Sequence, residues 1–212
     1  MNDDAILCMF SGGIDSAGVL HQLFTNPEFQ QRPLIVHHIY LQNRENRAQA
    51  EMDSVTKIFS FYKMNYPERE FTYTSSIFNT NGFAPLKANR FPFDVDVCAF
   101  VAGNICVARK DIRQVATGRT KTDIDSGDIS YQKRIQRAQA VFHSLYCMEV
   151  EAVPEYIFPV ANKTKKEIWN ELPQPVQAAC WYCRKPQYAE DGSASKCGHC
   201  KTCKQTQEFI DE

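Results

Sequence analysis

Ser11-Gly12-Gly13-Ile14-Asp15-Ser16 decides the fold of this chain. It follows the apolar run Ala5-Ile6-Leu7-Cys8-Met9-Phe10 and precedes Ala17-Gly18-Val19-Leu20-His21-Gln22-Leu23-Phe24, whose apolar spacing is helical. The hexapeptide is therefore a strand-to-helix turn. Two glycines without a Cβ let the backbone approach a ligand closely. The helix that follows offers unpaired N–H groups and the positive end of its dipole, and Ser11 and Ser16 add hydroxyls. Such a cradle suits a phosphate group.

Two common phosphate loops are excluded. There is no GxxxxGK[ST] and no GxGxxG. With 212 residues, 43% hydrophobic and 23% charged, the chain can bury one substantial core plus a small appendage. A net charge of -1 gives no global attraction to nucleic acid or to a membrane surface. No apolar run approaches the ~20 residues that span a bilayer. The N-terminus is acidic where a leader would be basic, so the expected location is cytoplasmic, with the cysteines as thiols or metal ligands.

Outward from the turn, Leu34 to Tyr40 reads as a second buried strand. Arg47 to Met64 reads as a helix and Phe71 to Thr74 as a short third strand. Ser75 to Asp94 reads as a long irregular connection containing Phe78, Phe83, Phe91 and Phe93. A helix from about Asp96 to Lys110 is expected to be well buried through Val97, Phe100, Val101, Ile105 and Ala108. Gln114 to Gly118 is a fourth strand, and Arg119 to Gly127 reads as a mobile loop. Tyr131 to Leu145 is a helix and Glu155 to Phe158 a fifth strand. Thr164-Lys165-Lys166-Glu167 is a capping box that opens a helix ending before Pro173 and Pro175. Alternating strands and helices predict an α/β, Rossmann-like parallel five-stranded sheet, with ligands bound beyond the carboxyl ends of the strands. The expected division is a 1–175 α/β domain that carries the phosphate cradle and a 176–212 cysteine-rich tail.

That tail holds Cys180, Cys183, Cys197, Cys200 and Cys203. Tight Cys-x-x-Cys turns supply tetrahedral thiolate sites, and the segment between Cys183 and Cys197 has little apolar content with which to fold alone. Zinc is the expected ion and an iron–sulfur cluster its rival, with five thiols for four positions and His199 as an outside ligand. Cys8, Cys98, Cys106 and Cys147 read as small buried apolar residues. His21, His37, His38 and His143 read as structural.

An N-terminal SGGxDS with a C-terminal CGxCxxC resembles 7-cyano-7-deazaguanine synthases, the queuosine-pathway members of the PP-loop ATP pyrophosphatases. Val101-Ala-Gly-Asn104 is similar to that family's V-P-G-R-N segment, without its Pro and Arg. Gln114-Val-Ala-Thr-Gly118, Pro159 with Thr164-Lys165-Lys166-Glu167-Ile168, and Trp181-Tyr-Cys183-Arg184 match further segments. The family's Tyr-Pro-Asp-Cys stretch has no counterpart between Asp123 and Gln136. The resemblance implies the fold of adenine nucleotide α-hydrolases and, as a rule, a homodimer. It favours Cys183 over Cys180 as the fourth thiolate beside Cys197, Cys200 and Cys203, around a structural zinc.

The implied reaction is an ATP-dependent ligation. The carboxylate of 7-carboxy-7-deazaguanine attacks the α-phosphate of ATP, and pyrophosphate leaves into a cradle of Phe10, Ser11, Gly12, Gly13, Ile14, Asp15 and Ser16, with Gly118 beside it. Asp15 contacts magnesium and Lys165 the phosphate or adenylate. Ammonia then converts the acyl adenylate to an amide, and a second ATP carries the amide to the nitrile. Two rivals stand beside this reading. One is a tRNA-modifying, thiolase-like enzyme with the same loop. The basic stretch Arg109, Lys110, Arg113, Arg119, Lys121, Lys133, Arg134 and Arg137 favours it, and the net charge of -1 makes direct nucleic-acid binding the less expected outcome. The other is a nucleotide-binding relative without turnover.

Overall fold

The computed structural model describes residues 4–86, 94–146 and 152–210. In chain order the elements are β1 (Ala5–Met9), α1 (Ile14–Thr25), α2 (Pro27–Gln30), β2 (Leu34–Gln42), α3 (Ala48–Asn65), β3 (Phe71–Asn79), a 3-10 turn (Asn81–Leu86) and α4 (Asp94–Ala108). Then come β4 (Ile112–Ala116), α5 (Lys121–Asp125), α6 (Ile129–Ser144), β5 (Glu155–Ile157), α7 (Lys165–Glu171) and α8 (Gln174–Ala179). The tail holds β6 (Gln187–Tyr188), β7 (Ala194–Ser195) and α9 (Lys201–Ile210).

Five strands form one parallel sheet in the order β3-β2-β1-β4-β5. Parallel strands covered on both faces read as continuous apolar runs, and β1 does so. Ile6, Cys8 and Phe10 face a core shared with α1, α3, α7 and α8, including Leu20, Ile58, Ile168 and Val176. Ala5, Leu7 and Met9 face the other core, with Ala102 and Cys106 of α4 and Phe142 of α6. The chain runs outward from β1 to β2 and β3, then crosses to β4 on the other side of β1. The switch point in strand order thus lies between β1 and β4, and their carboxyl ends carry the SGGIDS turn and Gly118.

Several local expectations change. The third strand is nine residues long because β2 is nine long, and the two pair throughout, from Leu34 with Phe71 to Gln42 with Asn79. Much of the expected 75–94 connection is therefore edge strand and 3-10 turn; Phe91 and Phe93, like Cys147, lie outside the described residues. Phe78 meets the exposed Phe100 edge-on at 6.5 Å. Only one side of α4 is buried, because α6 packs against it where Gly103 leaves room; a Cβ there would stand 2.3 Å from Leu145 Cδ1. Val101-Ala-Gly-Asn104 is thus mid-helix. The expected mobile loop after Arg119 contains α5, capped by reciprocal Thr120–Asp123 bonds. Pro175 sits in the first turn of α8, where a missing N–H costs no helical bond, so the chain continues as helix.

His21 bonds Tyr62, His37 bonds the hydroxyls of Thr74 and Ser76, and buried His38 donates from Nδ1 to the Phe10 carbonyl. None of the three lines the cleft described below. Cys8 and Cys106 are buried and Cys98 is half-buried.

Candidate functional site

The SGGIDS turn is held from below. Gly12 has φ +76, and a Cβ there would stand 2.8 Å from Ser54 Oγ and 3.2 Å from the Glu51 carbonyl oxygen. Ser54 Oγ donates to the Gly12 carbonyl at 2.8 Å, and the Trp181 N–H donates to the same oxygen at 2.9 Å. Ser16 Oγ donates to the Gly13 carbonyl at 3.0 Å and lies 3.1 Å from Ser11 Oγ. Gly118 closes the other side. A Cβ there would come within 3.0 Å of Asp15 Cβ and 3.2 Å of the Ser16 nitrogen. A Gly12→Ala variant is expected to lose about 1–3 kcal/mol of stability from the positive φ and the collision with the Ser54 hydroxyl. Chemical denaturation measures it; an unchanged midpoint would mean that the turn relaxes freely.

Asp15 occupies the first turn of α1, and Lys165 opens α7. Lys165 Nζ donates to Asp15 Oδ2 at 2.8 Å. Burial would push the carboxyl up and the ammonium down. Burial wins at Asp15, whose carboxyl lies above its ordinary value despite the pull of Lys165, whereas Asp15 holds the Lys165 ammonium above its own. Asp15 Oδ1 is buried with no hydrogen-bond partner among the described residues. Beside them, burial and the nearby Asp123 push Tyr131 up to about 12, so its hydroxyl stays protonated.

A second charged group flanks the loop. Arg47 pairs with Glu45 at 2.6 Å and also with Glu51 and Asp94. Arg184 of the tail reaches Glu45 at 3.1 Å and Asp94 at 3.3 Å. Burial raises the Glu51 carboxyl to about 7, against the pull of Arg47.

The cysteines sort cleanly. Sγ atoms of Cys183, Cys197, Cys200 and Cys203 all lie within 4.8 Å of one another. Cys180 is fully buried in the main core, apart from them. His199 is exposed and donates from Nδ1 to the Cys197 carbonyl at 2.8 Å. Gly198, with φ +71, turns the chain between Cys197 and Cys200. The N–H groups of Lys185 and Cys197 point at Cys183 Sγ, each at 3.3 Å, as donors that stabilise a thiolate.

One cleft of about 550 Å³ joins these parts. Its walls include Ser11, Gly13, Ile14, Asp15, Ser16 and Lys165, and at the far end Cys183. Phe10 is not on it; its ring is buried against Phe59, 5.3 Å away. Val101-Ala-Gly-Asn104, Phe78 and Phe83 are not on it either. Sequence reasoning missed Arg47, Glu51, Ser54 and Tyr131. Only the capping pattern at Thr120 and Asp123 hinted that 119–127 was ordered beside the site.

No family model matches the sequence. No curated protein matches it. Among solved structures, the U34-tRNA thiolase NcsA from Methanococcus maripaludis, with its [4Fe-4S] cluster, is similar at a TM-score of 0.52 and 15% identity, over 79% of this chain and 56% of that one. An NMN synthetase from Francisella tularensis aligns at a TM-score of 0.49 and 13% identity, over 82% of this chain and 64% of that one. The chain therefore spans less than two thirds of either neighbour. The NcsA likeness bears on the fold: an α/β, Rossmann-like parallel five-stranded sheet, here followed by a four-cysteine cluster that could hold a metal.

Proposed function

We propose that the protein is an ATP-dependent ligase of the PP-loop kind. It would adenylate 7-carboxy-7-deazaguanine and use ammonia to form the amide, and a second ATP would carry the amide to 7-cyano-7-deazaguanine, each ATP releasing AMP and pyrophosphate. The observation that carries the adenylation is the SGGIDS turn at the switch point, with the Asp15–Lys165 pair at its mouth and one cleft beyond it. The resemblance in sequence carries the choice of substrate. A cleft of about 550 Å³ is in the range of small-molecule sites.

In this reading the Gly13 N–H and the Ser11 and Ser16 hydroxyls receive the outer phosphates. Lys165 places its charge where negative charge develops on the leaving group. Asp15 would hold magnesium, because a buried carboxylate oxygen without a partner suits a hard cation. Magnesium there neutralises phosphate charge. Tyr131, kept protonated, is a donor toward the acceptor.

The four thiolates fit zinc. Bonds of about 2.3 Å in a tetrahedron put the sulfurs about 3.8 Å apart, compatible with the observed spread of 4.8 Å or less. A four-iron cubane holds its thiolates on outer corners and needs a wider cage. The zinc is read as structural.

The assay is the folded, metallated protein with ATP, magnesium, ammonium and 7-carboxy-7-deazaguanine. AMP, pyrophosphate and a product with the mass of the nitrile are expected; their failure to appear removes the substrate assignment. A second reading, adenylation of a base in tRNA, has support in Arg134, Lys166, Arg184 and Lys201 along the cleft walls. It requires RNA binding that weakens steeply with salt.

A further inference from the structure

The peptide between Gly12 and Gly13 is the part of the phosphate loop most free to rotate, because neither flanking residue has a Cβ. In a trans peptide the carbonyl and the next N–H point in opposite directions. The orientation of the Gly12 carbonyl therefore decides which way the Gly13 N–H points. As found, that carbonyl accepts from two donors, Ser54 Oγ at 2.8 Å and the Trp181 N–H at 2.9 Å, and Gly13, not Gly12, lines the cleft. On the other side, the Gly13 N–H has only a long 3.4 Å contact with Ser11 Oγ, so it retains donor capacity toward a ligand.

We propose that Ser54 and the main-chain N–H of Trp181 are positioning groups that lock this peptide, so that the Gly13 N–H donor and not the Gly12 carbonyl oxygen faces the phosphates. A flipped peptide would set a carbonyl oxygen against a phosphate oxygen. The inference rests on the reading that the SGGIDS turn holds the outer phosphates of ATP.

The lock reaches the cysteine centre. Cys180 anchors Trp181 from the core side, and the indole Nε1 donates to the Cys183 carbonyl at 2.9 Å. The Trp181 carbonyl lies 3.3 Å from where a Gly13 Cβ would be, so residue 181 touches both glycines of the turn. A metal held by Cys183 would fix the segment that supplies one of the two donors.

The test compares Trp181→Pro with Trp181→Ala, using calorimetric titration with ATP, inorganic pyrophosphate and AMP. Both variants lose the indole and only the proline loses the N–H. Proline is compatible with Cys180 at φ -57 and ψ 131. The expected result is about tenfold weaker binding of ATP and pyrophosphate by Trp181→Pro than by Trp181→Ala, with AMP bound equally and metal content equal. Ser54→Ala should show the same selective loss against the wild type, and it decides the matter if the proline variant does not fold. Equal ATP affinity in the two Trp181 variants, or AMP binding that weakens in step with ATP, overturns the lock. A wild-type chain that binds neither ATP nor pyrophosphate overturns the phosphate-loop reading itself.

Discussion

Asp15→Asn is expected to slow ATP-dependent pyrophosphate release about 10²- to 10³-fold, the scale of losing one aimed electrostatic group at a reacting centre. The substitution keeps the shape of the side chain and removes its charge. Two things then fail together. Lys165 loses the partner that holds its ammonium at the mouth of the turn, 2.8 Å from Oδ2. The buried Oδ1, unpartnered among the described residues, no longer offers a hard anionic ligand. Labelled pyrophosphate, followed in single turnovers, reads the effect; release at the wild-type rate would end the account of this turn as the seat of the chemistry.

Lys165→Met is the complementary change. It leaves the Asp15 carboxylate largely covered and without its counter-charge. Because the Lys165 side chain is 35% exposed and that of Asp15 28%, water screens part of the loss, and the expected cost is about 1–2 kcal/mol. The Asp15→Asn/Lys165→Met double variant should recover most of that stability and none of the turnover. A double variant no more stable than Lys165→Met alone would mean that the pair is not coupled in the folded protein.

Stripping the metal, or replacing Cys203 by Ser, should disorder the tail while the sheet survives. The tail's own buried cluster consists of Cys183, Cys200 and Cys203, with the half-buried Trp181, Tyr182 and Cys197 against it. It contains no aliphatic side chain, and its hairpin pairs only two residues per strand. Hydrophobic burial within that cluster is small, whereas zinc held by four thiolates contributes on the order of 10 kcal/mol in small peptides. Beyond Cys180, only the half-buried Tyr182 and Phe209 among the described tail residues pack on one core, and the other core takes none. Limited proteolysis should therefore cut within 181–210 of the chelated protein and leave the part that carries the sheet intact, with about one zinc per chain recovered from the untreated protein. Equal protease resistance with and without chelator would show that packing alone holds the tail. Visible absorbance from the purified chain in place of zinc would favour the iron–sulfur rival.

The fold was legible because β1 and β2 carry their apolar residues in unbroken runs and the helices keep theirs at helical spacing. Those signals are local, and both survive into the structure as two covered faces of one sheet. The long β3 was not legible. Its residues are mostly exposed, and only pairing with the nine residues of β2 makes them strand. The helix α5 was hidden in a polar segment because a capping box and a neighbouring backbone bond from Lys121 to Lys163, and not an apolar stripe, hold it.

At the site, the sequence by itself determined the hexapeptide turn, the helix start at Thr164 and the Cys-x-x-Cys spacing, because each is a contact between residues a few positions apart. Tertiary structure alone decided that Lys165 meets Asp15 across 150 positions, that Cys180 lies in the main core, and that Trp181 caps Gly12. The physical reason is that hydrogen bonds and ion pairs between distant segments leave no periodicity in the chain; they exist only once burial on both sides of the sheet has brought the ends of β1, β4 and the tail together.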